Sequence, residues 1–404
     1  MKVAVIGAGL TGLTAAYNLK DYANVKVYEA NEVGGLLASF CPNYCIEKFY
    51  HHCFKWDKEL ILLLKDLNLL SKLFWKTVKV GFAVNGKIYS LSNIIEIIKY
   101  PYLTLKEKAK LAFFTLKSKK RKDYEKYDEV YAIDGLKIEV GDSLLEKFFL
   151  PLLNAKFGEN AQKISYAWLL ARVSIRSNRN LKGEKIGYLR GGFKQLIDKL
   201  SEDLEIVEEF AEIKKFGKWQ VNGEDFDAVV YTAPLDNLNF LQIRKIKYQS
   251  TVCALLALKR SLSDVYWVNS IGTPFGAIIE HTNFAPLKDY GEHLVYLVTY
   301  CSQQSEIFRM SENRIRDIFM NSLRKFGICE KDLNWIRIFK AKYSGPVYEV
   351  GFAKNITPYK ISDGFYIAGM TSKPNYPERS MNGSIKAGRE VAEVLLKDYQ
   401  LIIK

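Results

Sequence analysis

The strongest constraint on this chain lies in its first thirty residues. Val3-Ala4-Val5-Ile6 reads as a short buried strand, and Gly7-Ala8-Gly9-Leu10-Thr11-Gly12 follows at once. Leu13-Thr14-Ala15-Ala16-Tyr17-Asn18-Leu19 continues at helical spacing, and a second strand, Val25-Lys26-Val27-Tyr28, ends at Glu29. Strand, glycine-rich turn, helix, strand and acid in that order read as a dinucleotide-binding βαβ unit. Each part has a mechanical reason. Gly7 permits the tight turn, Gly9 lets the backbone approach a pyrophosphate, and Gly12 lets helix and strand pack closely. The helix start, from Ala8 through Leu10 and Thr11, turns N–H groups and the positive dipole end toward phosphates. Glu29 is placed to accept hydrogen bonds from a ribose diol and would repel a 2′-phosphate, which favours an unphosphorylated adenosine ribose.

The residues after the acid narrow the ligand. Glu29-Ala30-Asn31-Glu32-Val33-Gly34-Gly35-Leu36-Leu37-Ala38-Ser39 resembles the segment following the acid in the FAD-dependent amine oxidase, protoporphyrinogen oxidase and phytoene desaturase superfamily. The resemblance implies FAD as cofactor, with the Gly34-Gly35 pair bringing backbone against pyrophosphate and flavin. The superfamily usually carries Arg after the pair, where this chain has Leu36, leaving Ser39 as the nearest side-chain substitute.

Two later stretches extend the resemblance. Gly364-Phe365-Tyr366-Ile367-Ala368-Gly369 reads as a strand ending in glycine, and Ser380-Met381-Asn382-Gly383 opens a helix running to about Leu396. This looks like the superfamily's C-terminal flavin motif. Met370 stands where many members have an acid, and the resemblance places Met381 and Asn382 at the flavin through their backbone amides. Glu205-Ile206-Val207, Trp219-Gln220-Val221 and Asp227–Pro234 are similar to a further stretch. There Val207 falls on the strand at the adenine side, and Ala233 on an alanine-proline turn over the cofactor. In Gly187-Tyr188-Leu189-Arg190-Gly191-Gly192-Phe193, which resembles a glycine-rich turn before a helix, Arg190 is a candidate anion contact.

With motifs near both ends and in the middle, the expected fold class is α/β. It comprises a discontinuous Rossmann-type FAD-binding domain and an inserted α+β substrate domain with a mixed sheet and a helical subdomain. The FAD-binding parts are assigned to residues 1–76, 187–245 and 346–404, and the insertion to residues 77–186 and 246–345. Val78–Val84 turning at Asn85-Gly86 into Lys87–Ser90 reads as a hairpin. Residues 92–180 read as mostly helical, with a capping box at Thr104-Leu105-Lys106-Glu107 and an apolar stripe through Leu105, Ala109, Ala112, Phe113 and Leu116.

Charge singles out the same segment. The chain has 59 basic and 45 acidic residues in 404, a net charge of +14. Residues 104–127 hold nine basic and three acidic side chains, so six of the fourteen surplus charges sit there. Either the stripe packs in the core beneath a solvated basic face, or the helix lies on an anionic membrane surface. No recognition module accompanies the charge, so nucleic acid is not an expected partner. No stretch approaches 18 consecutive apolar residues, and glycines interrupt the apolar opening before a signal sequence could form. The six cysteines show no secreted disulfide framework and match no familiar zinc pattern, so free thiols, no metal and a cytoplasmic location are expected; on the membrane alternative for the basic helix, attachment would be peripheral at the inner face of the membrane.

The chemistry implied by the resemblance is hydride transfer to flavin N5 from an apolar, aromatic or amine-containing small molecule. A redox-neutral isomerase resembling UDP-galactopyranose mutase is the open alternative. No acid–base pair is legible. His51, His52, His281 and His293 are candidates only because histidine is scarce, with buried structural roles expected, and Tyr296, Tyr343 and Tyr366 are candidate pocket residues.

Overall fold

The computed structural model describes residues 1–176, 179–180, 183–238 and 245–402. They fall into two units, the first made of Met1–Phe74, Tyr188–Ile246 and Lys354–Lys404, the second of Trp75–Gly187 and Lys247–Ala353.

The first unit is built on a six-stranded sheet ordered Glu205–Val207, Asn24–Tyr28, Lys2–Ile6, Ala228–Tyr231, Phe365–Ile367 and Lys360–Ser362. The first five run parallel and the last is antiparallel. The Lys2–Ile6 strand pairs on both edges, so Val3, Ala4 and Val5 are fully buried, as a continuous apolar run in a parallel sheet requires. One sheet face packs Ile6, Tyr231, Phe365 and Ile367 against Trp219, Val221 and Phe226 of a small three-stranded meander. The helices Leu10–Leu19 and Met381–Asp398 pack together, and contact is close enough that a Cβ on Gly388 would lie 2.5 Å from the Thr11 carbonyl oxygen. Cys41 and Cys45 form a disulfide across the loop joining strands Ser39–Phe40 and Ile46–Glu47. For these two the expectation of free thiols is corrected, because the hairpin register brings their Cα atoms within 4.1 Å, while Cys53, Cys253, Cys301 and Cys329 remain thiols.

The second unit carries a seven-stranded sheet ordered Leu333–Pro346, Tyr248–Leu258, His293–Cys301, Ala277–Glu280, Trp267–Ile271, Val80–Val84 and Lys87–Ser90. All its pairs are antiparallel except Trp267–Ile271 with Val80–Val84. The Asn85-Gly86 hairpin forms as expected, both residues at positive φ. The Tyr248–Leu258 strand is buried on both faces; Val252, Ala254, Leu256 and Leu258 meet Ile315, Phe319 and Leu323 of the Glu312–Leu323 helix.

Helices dominate residues 92–176 as anticipated, while 177 and 178, at the end of the expected stretch, lie outside the described residues. The capping box at Thr104 forms in both directions. The apolar stripe does not enter the core, however. Leu105, Phe113 and Leu116 are each more than 60% exposed, and Phe114 turns inward to pack edge-on against Phe149. Core burial of that stripe is thereby corrected: a one-residue rotation on the helix puts Phe114, not Phe113, inside.

Candidate functional site

The dinucleotide turn is closed by backbone contacts within the first unit. Gly7 sits at φ +102° and donates its N–H to the Tyr28 carbonyl, tying turn to second strand. A Cβ on Gly12 would lie 1.9 Å from the Gly7 carbonyl oxygen, so only glycine fits. Gly9 caps the Leu10–Leu19 helix, and a Cβ there would meet no atom within 4 Å. The helix start therefore faces open space bounded by backbone, where its N–H groups can meet an anion. Gly34 bridges to Gly9, donates its N–H to the Ala8 carbonyl and stands at φ +101°; a Cβ on Gly35 would come 3.4 Å from the Gly9 Cα. The two glycine segments, 25 residues apart in sequence, form one surface.

Glu29 is buried at the end of its strand. Its carboxylate accepts from Ala8 N–H at 2.8 Å and Asn31 N–H at 2.9 Å, and its own N–H reaches the Val207 carbonyl. A carboxylate accepts about four hydrogen bonds, so it retains capacity for a ribose diol. Ala30 beside it is exposed. Leu36 is half-buried in a short helical turn with Leu37 buried, and the Ser39 hydroxyl contacts the Leu37 carbonyl at 3.5 Å.

The C-terminal motif returns to the same unit. Ala368 N–H bonds to the Tyr231 carbonyl, and Gly369, at φ +145°, donates to the Ser372 hydroxyl and accepts from the Asn375 amide. Met370 is half-buried and Ala233 half-buried on its turn. Met381 begins the last helix, capped by the Ser380 hydroxyl accepting from Gly383 N–H. The Asn382 side chain serves a different helix. Its oxygen accepts from Glu59 N–H and Leu60 N–H and caps the Lys58–Asp66 helix.

Three residues important to this geometry escaped the sequence reading. The Thr232 hydroxyl donates to the Ile6 and Gly7 carbonyls at 2.9 and 3.1 Å and braces the turn. Its position just before Ala233-Pro234 was the available signal. Glu47, fully buried, accepts from the Tyr188 hydroxyl and from Phe193 N–H, fixing the Gly191-Gly192 turn; burial pushes its carboxyl above the usual range. Asn375 links Gly369 to the last helix through Ser380 N–H. Nothing in the sequence around Glu47 or Asn375 marks either. Arg190, exposed, has its carbonyl capped by Gln195.

Two of the histidines are structural. His51 is half-buried and donates from Nδ1 to the Phe49 carbonyl; desolvation, aided by Arg379, lowers its pKa to about 4. His281 is buried against Tyr290 and Tyr296, and burial lowers its pKa to about 3. Tyr296 and Tyr366 belong to the two sheet cores, and Tyr343 stacks edge-on to Tyr248. None of these three tyrosines lines the cavity described next, because their strands turn them toward other neighbours.

That cavity lies wholly inside the second unit and measures about 780 Å³, within the range of small-molecule sites. Phe82, Tyr100, Phe148, Trp168 and Trp267 give it an apolar, aromatic wall. Ile94 and Leu116 line it and are also more than 60% exposed, so they mark its mouth. Around that mouth the helices Ile94–Lys99 and Leu105–Lys120 expose Ile94, Ile95, Ile98, Leu105, Phe113 and Leu116, from 54% at Ile98 to 72% at Leu105. Among the described residues no helix is long and apolar enough to cross a membrane.

A family model described as flavin containing amine oxidoreductase matches residues 10–396, nearly the whole chain. Mitochondrial protoporphyrinogen oxidase of Nicotiana tabacum is 25% identical over 436 residues, covering 86% of this chain and 85% of that protein. Coproporphyrinogen III oxidase of Staphylococcus aureus is 27% identical over 240 residues, covering 51% of this chain and 50% of that protein. Among solved structures, reduced UDP-galactopyranose mutase superposes with a TM-score of 0.73 at 18% identity, over all of this chain and 96% of the other. That likeness carries the fold alone, and it agrees with the Rossmann-type α/β architecture.

Proposed function

The chain belongs to the flavin-containing amine oxidoreductase family and is an FAD-dependent oxidoreductase, and we propose that it oxidises an apolar small molecule held in the cavity of its second unit. Bound FAD supplies the hydride acceptor at N5. The residues proposed to hold it are those of the closed turn and its partners. The Gly7–Gly12 turn and the first-turn amides of the Leu10–Leu19 helix take the pyrophosphate, Gly34 and Gly35 close over it, and Glu29 takes the ribose diol. Val207 flanks the adenine side, Ala233 lies on a turn over the cofactor, and Gly369, Met370, Met381 and Asn382 present backbone to the flavin. The observation that supports the fit is the open space over Gly9 beside a turn in which Gly12 admits no side chain.

In the second unit, the aromatic walls exclude water and orient the substrate by shape. Among the described residues no histidine lines the cavity, so their contribution there is placement rather than proton transfer by imidazole. Anaerobic addition of candidate substrates to the yellow holoprotein tests the reading. Bleaching at about 450 nm by an apolar donor is expected. Turnover of a nucleotide sugar only after dithionite reduction, with no net electron transfer, would instead support the isomerase reading.

The exposed apolar residues beside the cavity mouth support a second element. Leu105, Phe113 and Leu116 among them share the Leu105–Lys120 helix with the exposed Lys106, Lys117 and Lys120, the pattern of an interfacial helix on anionic lipid. We place the protein peripherally at the inner face of the cytoplasmic membrane. Cosedimentation with phosphatidylglycerol vesicles should exceed that with phosphatidylcholine. Ile95→Asp with Phe113→Asp, neither residue lining the cavity, should weaken it by about tenfold or more. Equal binding of the double variant and wild type would remove this element.

A further inference from the structure

The cavity of the second unit carries a charge pattern at odds with the amine substrates for which the family is named. Its lining includes four basic side chains, Lys108, Lys119, Lys156 and Arg172, and one carboxylate, Glu184. All four cations are half-buried and Glu184 is buried. They come from separate elements: Lys108 and Lys119 from the Leu105–Lys120 helix, Lys156 from Leu150–Phe157, and Arg172 from Tyr166–Arg176. Lys108 is partly engaged, its Nζ donating to the Ile98 carbonyl at 2.6 Å. The Lys156 ammonium stands 3.5 Å from the centre of the Tyr300 ring, which itself lines the cavity, so that charge is held in place by the wall.

Positive charge on an otherwise aromatic and aliphatic wall has a direct consequence. A charge in partly desolvated surroundings interacts with a ligand charge far more strongly than in bulk water. A protonated amine entering this space would meet an excess of like charge. An acid group would meet complementary charge while its apolar body covered the ring faces.

We infer that the cavity selects an amphipathic anion: an apolar body carrying a carboxylate or phosphate, with Lys156 and Arg172 as specificity-determining residues. This rests on the reading of the cavity as the substrate's. It goes beyond that reading by naming the charge of the ligand and excluding the amines.

Binding to the flavin-loaded full chain is measured by calorimetry, below the critical micelle concentration, with four probes of one chain length: dodecanoate, dodecyl phosphate, dodecanol and dodecylamine. Dodecanoate or dodecyl phosphate should bind at least tenfold more tightly than dodecanol, and dodecylamine should bind most weakly. The carboxylate and phosphate arms identify which acid group is preferred. Lys156→Met with Arg172→Met should abolish the preference for the acid while leaving dodecanol within about threefold. Ala277→Phe, placed in the cavity lining, should weaken all the probes that bind, which separates the cavity from the exposed helix patch. Should the double variant fail to fold, Lys119→Met must weaken dodecanoate binding at least threefold. Dodecylamine binding as tightly as dodecanoate, acid preference retained in the double variant, or probe binding untouched by Ala277→Phe overturns the inference. Acid-selective binding without flavin bleaching by any donor leaves it standing while the oxidation reading falls. Bleaching by an amine alone overturns it and leaves the oxidation reading intact.

Discussion

In the first unit the proposed cofactor site is drawn by backbone. Gly7, Gly9, Gly12, Gly34 and Gly35 work because they lack side chains, and Glu29 is aimed by two main-chain amides. In the second unit the proposed substrate cavity is drawn by side chains. Phe82, Phe148, Trp168 and Trp267 come from a strand, a helical segment, a helix and another strand, and the cations come from three helices. A site made of backbone tolerates drift at most positions but none at a few. A site made of side chains tolerates small changes almost anywhere, and its specificity shifts with each.

The sharpest way to break that contrast is Gly12→Val. Two of the atoms its Cβ would meet belong to the Gly7 backbone, at 1.9 and 3.1 Å, so nothing nearby can yield cheaply. Retained flavin should fall by more than about a hundredfold, from overpacking worth roughly 3 kcal/mol or more, read from the 450 nm band of purified protein. A cavity-lining change of similar volume, Ala277→Val, should leave flavin content unaltered.

Acid provides the next comparison, since each unit holds a histidine whose pKa is lowered by desolvation. For His281, burial lowers the pKa to about 3, so the unfolded chain takes up the proton first. Stability is whole above about pH 6.5 and lost as pH falls toward 3. His281→Phe should therefore lose about 3 kcal/mol less than wild type between pH 7 and pH 4. His51 behaves likewise, with a pKa near 4, but the first unit contains an offset. Burial raises Asp57 to about 6 even though it accepts from Phe54 N–H, so its contribution is present at low pH and lost as pH rises from about 4 to 6. Asp57→Asn should make the first unit lose about 2 kcal/mol more than wild type over the same drop. Thermal melting across pH, with hydrogen exchange to separate the units, measures both. Equal acid sensitivity of Asp57→Asn and wild type would remove the offset.

The smallest effect concerns the first unit alone. The Cys41–Cys45 disulfide closes a loop with a sequence separation of only four, so it constrains few conformations of the unfolded chain. Cys41→Ser with Cys45→Ser should cost no more than about 2 kcal/mol, with flavin content unchanged. A large loss of flavin would show that this hairpin supports the site more directly than its contacts indicate.

The contrast also explains what could be read in advance. The βαβ unit, its acid, the glycine pair and the strand-turn-helix near the C-terminus were legible because each demands a residue type at a fixed spacing, and local sterics enforce it. The α/β class and FAD followed. Thr232 and Glu47 were not legible, since their partners, Gly7 and Phe193, lie 225 and 146 residues away and no local pattern announces the pairing. The capping box of the Leu105–Lys120 helix was clear, but which of two adjacent phenylalanines faces inward depended on Phe149, a tertiary neighbour. The cavity's cations were beyond reach for the same reason: they converge only after several elements have packed.

The interleaving of the first unit has a consequence for how the protein comes into being. The Lys2–Ile6 strand leaves the ribosome more than two hundred residues ahead of one of its sheet neighbours, Ala228–Tyr231, and the next strand in that direction is Phe365–Ile367. The helix beginning at Leu10 meets the most extensive of its helix partners only when Gly388 has emerged. At roughly 5–20 residues per second, the turn proposed to hold the cofactor lacks these neighbours for most of the time the polypeptide takes to be made. If the proposed site is the cofactor's, flavin retention requires the C-terminal strand and helix as well as the opening turn.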